Sequence, residues 1–404
     1  MKKTEILTTA VASVMALAML VGCGETAATT AGTSSDATAS TATEGSAAAG
    51  ATFKIGAIGP LTGGAAAYGN AVCNAAELAV AEINANGGIN GYQVEYSKED
   101  DELNAEKSVN AYNTLKDWGM QMLVGSTTSA CSIAVSEYTK ADNMFQLTPS
   151  GSAEDCVKYD NAFRVCFSDP NQGIASAQYI SDHNLATKVG IIYDSSDVYS
   201  SGIYQKFVEE SAGKSFEVVS AEAFTQDNNT DFSVQLQKAK DAGADLVFLP
   251  IYYKDASLIL TQANTMGYKP TFFGVDGLDG ILTVDNFDTS LAEGVMLLTP
   301  FAADATDDLT VNFVSQYQAK YGEIPNQFAA DAYDAVYIIK QAIEAKNVTP
   351  DMSVSDICEA LKGAMTEIEA AGLTSAKMTW AANGEPNKEP KAVVIKDGAY
   401  VSAQ

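Results

Sequence analysis

From Phe53 onward, short apolar runs alternate with longer stretches whose apolar positions recur every three or four residues. The short runs read as strands buried on both faces, the longer stretches as amphipathic helices. Phe53–Gly59 reads as the first strand, followed by a Gly-rich turn and a helix from about Ala71 to Asn86. Gly87-Gly88-Ile89-Asn90-Gly91 breaks that helix, and Tyr92–Lys98 alternates like a strand. The pattern then predicts helix Asn104–Trp118, strand Met120–Val124, helix Ser129–Lys140 and strand Met144–Leu147.

A second series begins after Arg164. Strands are predicted at Lys188–Tyr193, Phe216–Ala223, Asp245–Leu249 and Thr271–Gly274, with helices near Asn171–Asn184, Ser201–Gly213, Asp231–Ala242 and Lys254–Met266. Glu293–Thr299 is a further strand, and Thr306–Tyr321 and Gln327–Ala345 are long amphipathic helices. Ser353 is placed to cap a shorter helix reaching Gly363. Strand candidates Lys377–Trp380 and Ala392–Lys396 precede an Asp397-Gly398 hairpin turn. Such alternation implies parallel sheets covered by helices on both faces. One sheet built from all these strands would be unusually long, so two α/β domains are expected.

The amino terminus follows another pattern. Lys2 and Lys3 precede an apolar run from Ile6 to Val21 that is too short to span a bilayer comfortably, so residues 1–22 read as a secretory signal. The run ends in Leu20-Val21-Gly22-Cys23, which resembles the bacterial lipoprotein box. That resemblance implies cleavage before Cys23 and lipidation of its sulfur, and several acyl chains give stable anchoring. An ordinary signal peptide followed by a chance cysteine is the alternative. Residues 23–52 are mostly Ala, Thr, Ser and Gly, a composition expected of a flexible tether.

Charge and composition narrow the chemistry. With 24 basic against 51 acidic side chains in 404 residues, the formal net charge is −27. A chain so acidic is a poor partner for nucleic acid or an anionic membrane surface. His183 is the only histidine and Arg164 the only arginine, so histidine-rich metal sites and multi-guanidinium phosphate clamps are excluded. His183 itself reads as a surface or helix-end residue. Besides Cys23 there are Cys73, Cys131, Cys156, Cys166 and Cys358, with no C-x-x-C spacing. A Cys156–Cys166 bridge and packed free thiols are both open readings. Neither a P-loop, nor a dinucleotide fingerprint, nor a G-x-S-x-G elbow occurs, so no cofactor, metal or enzymatic activity is expected.

The segments after the strands carry the remaining polar chemistry. In open parallel sheets, ligands bind beyond the carboxyl ends of strands, where helix amino termini aim N–H groups outward. Gly125-Ser126-Thr127-Thr128-Ser129-Ala130 and Thr148-Pro149-Ser150-Gly151-Ser152 are hydroxyl-rich loops in such places, suited to a carboxylate. Ser129 and Ser152 as helix caps is the competing reading. Asp276, after strand Thr271–Gly274, is placed to meet an ammonium group, or is simply a solvated turn residue. Tyr199, Tyr252 and Tyr253 follow other strands of the second half and are candidates for a pocket wall.

Several segments together resemble a known family. Residues 53–64 (FKIGAIGPLTGG), Ala67-Tyr68-Gly69, residues 77–84 (ELAVAEIN) and Gly87–Gly91 look like the opening of leucine/isoleucine/valine-type periplasmic binding proteins. Ser150, Phe163-Arg164-Val165, Gln172-Gly173, Tyr199, Asp276-Gly277 and residues 333–337 (YDAVY) extend the resemblance in order through the chain. It implies a type I binding-protein fold of two Rossmann-like lobes joined by three crossovers. The first lobe would hold 53–168 plus 300–388, and the second 169–299 plus 389–404. It further implies that Ser129, Ser150 and Ser152 receive an amino acid's carboxylate, and that Asp276 with Ser150 receives its ammonium. Tyr68, Tyr199, Tyr252 and Phe328 would wall the pocket. Ser126, where many members have Pro, and Phe328, where some have Tyr, depart from the pattern and leave the side-chain preference open.

The implied function is that of an anchored, monomeric extracytoplasmic receptor that delivers an amino acid, branched-chain or similarly apolar, to an ABC permease and ATPase complex. An amino-acid or amide sensor of the same fold, reporting to a signalling partner, is the alternative.

Overall fold

The computed structural model describes residues 50–403. The expected signal of residues 1–22, Cys23 and all but the end of the 23–52 tether lie outside the described residues. Two parallel sheets organise the rest. The first is built by β1 (Thr52–Gly59), β2 (Gln93–Asp100), β3 (Met122–Val124), β4 (Phe145–Thr148) and β5 (Ala162–Arg164), in the order β2-β1-β3-β4-β5. All of its pairings are parallel. Helices α1 (Ala66–Ala85), α2 (Ala105–Trp118) and α3 (Ser129–Asp142) are its crossovers.

The second sheet is entered through α4 (Asp169–Asp182). It takes β6 (Lys188–Asp194), β7 (Glu217–Phe224), β8 (Leu246–Leu249), β9 (Thr271–Gly274) and β10 (Met296–Thr299), with α5 (Val198–Ser211), α6 (Ser233–Asp241) and α7 (Tyr253–Thr265) between the first four strands. After β10 the chain returns to the first lobe as α8 (Asp308–Tyr321), α9 (Gln327–Lys346) and α10 (Val354–Met365). There α9 packs on α1, and α10 on α9 and β4. Finally β11 (Lys391–Lys396) and β12 (Ala399–Ser402) extend the second sheet as an antiparallel hairpin, giving the order β12-β11-β10-β9-β8-β6-β7. The lobes are thus joined by three crossings, at residues 165–168, 300–307 and 388–390.

Local chemistry explains most boundaries. Phe53, Ile55, Ala57 and Ile58 of β1 are all buried, as a strand covered on both faces requires. Asn104, Asn326 and Ser353 cap α2, α9 and α10 by accepting backbone N–H bonds. Asp397 and Gly398 both take positive φ between Lys396 and Ala399, the backbone of a two-residue hairpin turn.

Two expectations differ from the structure. Helix α1 starts at Ala66, several residues before the Gly-rich segment was expected to end. Gly69 falls within its first turns and is glycine because its bare Cα lies against Pro60, whose carbonyl oxygen a Cβ would strike. The Lys377–Trp380 strand is replaced by isolated bridges from Met378 to Ala370 and Trp380 to Pro386. Trp380 is tied instead by its indole N–H to the Arg164 carbonyl at 2.7 Å. Of the two open readings for Cys156 and Cys166, the structure has the packed free thiols: all five described cysteines are buried and unbridged. His183 is the C-cap residue of α4, stacked on Tyr179 with ring centroids 3.9 Å apart.

Candidate functional site

In the first sheet the connections diverge on either side of β1, and in the second on either side of β6. Such switch points leave a crevice at the strands' carboxyl ends. The loops there meet around one small cavity of about 20 Å³, room for about one water. From the first lobe it is lined by Tyr68, Thr127, Thr128, Ser129, Ser150 and Phe328; from the second by Tyr199, Tyr252, Asp276 and Gly277. The acid and the hydroxyl loops, expected on opposite lobes, share one cavity. Ser152 does not line it.

The hydroxyl side is organised by backbone. Ser129 is the first residue of α3, and its Oγ accepts the N–H groups of Ser152 and Ala153, both at 3.1 Å. Neither Ser129 nor Ser152 caps a helix: the N-cap positions are Thr128 and Ala153, which make no side-chain cap bond. With both lone pairs engaged, the Ser129 hydroxyl has only its hydrogen left to offer. Ser150 Oγ donates to the Thr127 carbonyl at 2.6 Å, so its backbone rather than its hydroxyl is the group left for a carboxylate. Thr128 Oγ1 is buried without a partner.

Ser152 stands behind this layer. Its carbonyl accepts the Asp169 N–H at 2.9 Å, and its buried hydroxyl lies beside the Asp169 carboxyl, which burial pushes well above the usual carboxylate range. Arg164, fully buried, clamps the same loop. Its guanidinium donates to the carbonyls of Gly151 at 3.1 Å and Ala153 at 2.9 Å, and pairs with Glu385 at 3.1 Å. The only arginine is therefore spent on this loop and on Glu385, away from the cavity lining.

On the other side Asp276 is 3% exposed. Tyr199 Oη donates to its Oδ1 at 2.6 Å, and its own N–H donates to Gln172 Oε1 at 3.1 Å. Burial pushes the carboxyl up to about 7, against hydrogen bonds from Tyr199, Gln172 and the Gly277 backbone that lower it. The cavity lining contains no lysine or arginine among the described residues, so Asp276 lacks a cationic partner there. Aromatic rings close the remainder. Tyr199 stacks on Tyr252 at 5.0 Å, Tyr68 meets Tyr252 edge-on at 5.5 Å, and Phe328 lies 4.5 Å from Tyr68.

Polar bonds cross from lobe to lobe. Tyr68 Oη donates to the Gly277 carbonyl and accepts the Tyr253 N–H at 3.2 Å. The Ala67 N–H donates to Tyr253 Oη at 3.2 Å. Gln327 donates its N–H to Asp279 Oδ2 at 3.0 Å and its side-chain amide to the Asp276 carbonyl at 3.3 Å. Gly277 must be bare, because a Cβ there would strike Tyr199 Oη. Sequence reasoning did not single out Thr128 or Gln327. Thr128 carries a signal, since it belongs to the hydroxyl-rich loop already chosen, whereas Gln327 carries none beyond its place at the start of a helix.

A family model for periplasmic binding proteins matches residues 52–399. A Leu/Ile/Val-binding protein of Rhizobium johnstonii is 30% identical over 83% of this chain and 89% of its own length. A leucine-, isoleucine-, valine-, threonine- and alanine-binding protein of Pseudomonas aeruginosa is 27% identical over 72% of this chain and 78% of its own. Among solved structures, the branched-chain amino acid transporter substrate-binding protein of Streptococcus pneumoniae, in complex with isoleucine, superposes with a TM-score of 0.79. It is 28% identical, covering 87% of this chain and 99% of that one. These relatives are solute-binding proteins, not enzymes.

Proposed function

Because this chain belongs to the periplasmic binding protein family, with two parallel-sheet lobes and three crossings, we propose that it is the amino-acid receptor of an ABC importer. It is exported, cleaved before Cys23 and held to the membrane by that lipidated residue, acting as a monomer that presents its closed form to a permease. The lobes, 53–168 with 300–388 and 169–299 with 389–404, are the moving bodies, and the three crossings are the hinge.

The observation that carries the reading is the position of Asp276 across one cavity from Ser129 and Ser150. A zwitterion leaves water at tolerable cost only when both ends find hydrogen bonds and an opposing charge or dipole. The Ser129 hydroxyl, the Ser150 N–H and the amino terminus of α3 suit a carboxylate; Ser152 supports them by holding Ser129. Asp276 and Tyr199 suit an ammonium, and Tyr68, Tyr252 and Phe328 an apolar side chain. No amino acid fits a cavity of about 20 Å³, so the lobes part for entry and close around the ligand only as the side chains lining the cavity give way; the ligand shifts the equilibrium by its differential affinity. The relatives named above bind branched-chain amino acids, which supports an apolar amino acid as ligand.

The test is calorimetric titration of the full chain carrying Cys23→Ser with leucine, isoleucine, valine, alanine and threonine, each beside its decarboxylated amine and its deaminated acid. The zwitterions are expected to bind, and the singly charged analogues to bind at least about a hundredfold more weakly. Equal affinity for zwitterion and analogue would remove the two-sided grip.

A further inference from the structure

A far larger cavity than the one that Asp276 lines is also present. It is a crevice of about 830 Å³ beside the smaller one, within the range of roughly 300–1,000 Å³ typical of small-molecule sites. Its apolar walls come from both lobes: Ala67, Val314 and Tyr317 on one side, Leu282, Leu297 and Tyr400 on the other. A partition separates the two spaces. It consists of Tyr68 bonded to Gly277, and of Gln327 bonded to both Asp279 and the Asp276 carbonyl.

The crevice also has one charged end. Asp279 lines it at 5% exposure; its Oδ2 accepts the Gln327 N–H, and its Oδ1 is buried with no hydrogen bond of its own although the Tyr400 hydroxyl lies beside the carboxyl. An orphaned carboxylate oxygen in such a place is costly until a donor meets it. The surrounding field has the same sign. Asp285, Asp304 and Glu323 line the crevice too, against Lys254 alone. An anion is repelled here and a neutral donor leaves the charge of Asp279 unmet, whereas an ammonium supplies both charge and donors.

We propose that this crevice is a second binding site, for a small molecule with an apolar body and a single ammonium group that is held by Asp279. The body lies along Leu282, Leu297 and Tyr317. Such an occupant touches both lobes and so favours the closed form. If the smaller cavity takes an amino acid as proposed above, the two ligands raise each other's affinity by the same factor.

The experiment titrates 2-phenylethylamine into the full chain carrying Cys23→Ser, beside 2-phenylethanol and 3-phenylpropionate as the neutral and anionic counterparts. The amine is expected to bind one to one, with the counterparts weaker by about tenfold or more. Asp279→Asn should weaken the amine by a similar factor, and Leu282→Trp, which fills the crevice from a half-buried position, should abolish its binding while isoleucine titrates as before. Saturating amine should tighten isoleucine. Equal binding of amine and alcohol, no amine binding up to about 10 mM, amine binding undiminished in Leu282→Trp, or competition between amine and isoleucine would each overturn the proposal. Amine binding without isoleucine binding would instead leave this site standing and remove the amino-acid reading of the other.

Discussion

Tyr199 Oη lies 2.6 Å from Asp276 Oδ1 and accepts the Gly277 N–H at 2.9 Å, so one hydroxyl fixes both the acid and the backbone beside it. The acid is thereby aimed at the cavity with no cation beside it in the lining. Asp276→Ala is expected to weaken binding of the cognate amino acid by about 2–5 kcal/mol, as truncating one member of a buried charged pair does. Its circular dichroism should match the parent's. Calorimetry of the two proteins side by side checks this; unchanged affinity would take Asp276 out of the ammonium site.

The same burial makes the site pH-sensitive. Asp276 is pushed up to about 7, so between about pH 4 and pH 7 the folded chain holds a proton that the unfolded chain has lost. This contribution to stability is complete below that window and is lost as pH rises through it. Asp279 and Asp331, raised by burial to about 6 each, act in the same direction. An ammonium placed on Asp276 favours its ionised form, so binding below pH 7 releases a proton, and affinity rises with pH until it levels off above about 7. Titrations at about pH 6 and about pH 8, in buffers of different ionisation enthalpy, read the proton count directly. Proton uptake on binding would reverse the assignment.

Tyr68 latches the lobes through Gly277 and Tyr253. In Tyr68→Phe the ring packing against Phe328 survives while both bonds go, leaving their backbone partners unpaired in the closed form. A loss of about 1–3 kcal/mol in ligand affinity is expected, with a larger radius of gyration for the ligand-bound protein by small-angle scattering. A variant that closes as tightly as the parent would show that the latch is incidental.

Lys388, at the third crossing, is buried with Asp331 of α9 and donates to Thr374 Oγ1 at 2.6 Å and to the Val165 carbonyl at 3.0 Å. Removing one member of such a pair strands the other, so Lys388→Met should cost about 3–5 kcal/mol of stability. Adding Asp331→Leu should recover much of that loss. Chemical denaturation of the two variants tests the pairing: a double variant no more stable than Lys388→Met would assign the loss to packing instead.

Cys23 lies outside the described residues, and its lipidation is tested in cells. Cys23→Ala should abolish incorporation of labelled palmitate and move the protein from the membrane fraction to the soluble one. Persistence of the wild-type distribution would favour an ordinary signal peptide.

Much of this architecture is legible along the chain. Apolar runs such as Phe53–Gly59 and Leu246–Leu249, and caps such as Ser353, act within a few residues, so their periodicity declares them wherever they occur. Hydroxyl-rich loops at strand ends were likewise visible. What the chain could not declare was which hydroxyl faces the cavity. Ser129 and Ser152 look alike in sequence, yet Ser129 Oγ accepts the Ser152 N–H and only Ser129 lines the site. Tyr199 and Asp276 are 77 positions apart, Arg164 turned inward to hold a loop, and Asp279 acquired an unanswered oxygen only through burial. Sequence by itself determined the lobes and the pool of candidate groups, because helices, strands and caps are set by near neighbours. Tertiary structure alone decided their partners, their burial and hence their charge, because a polar group's surroundings depend on chains that meet only when both lobes have folded and closed.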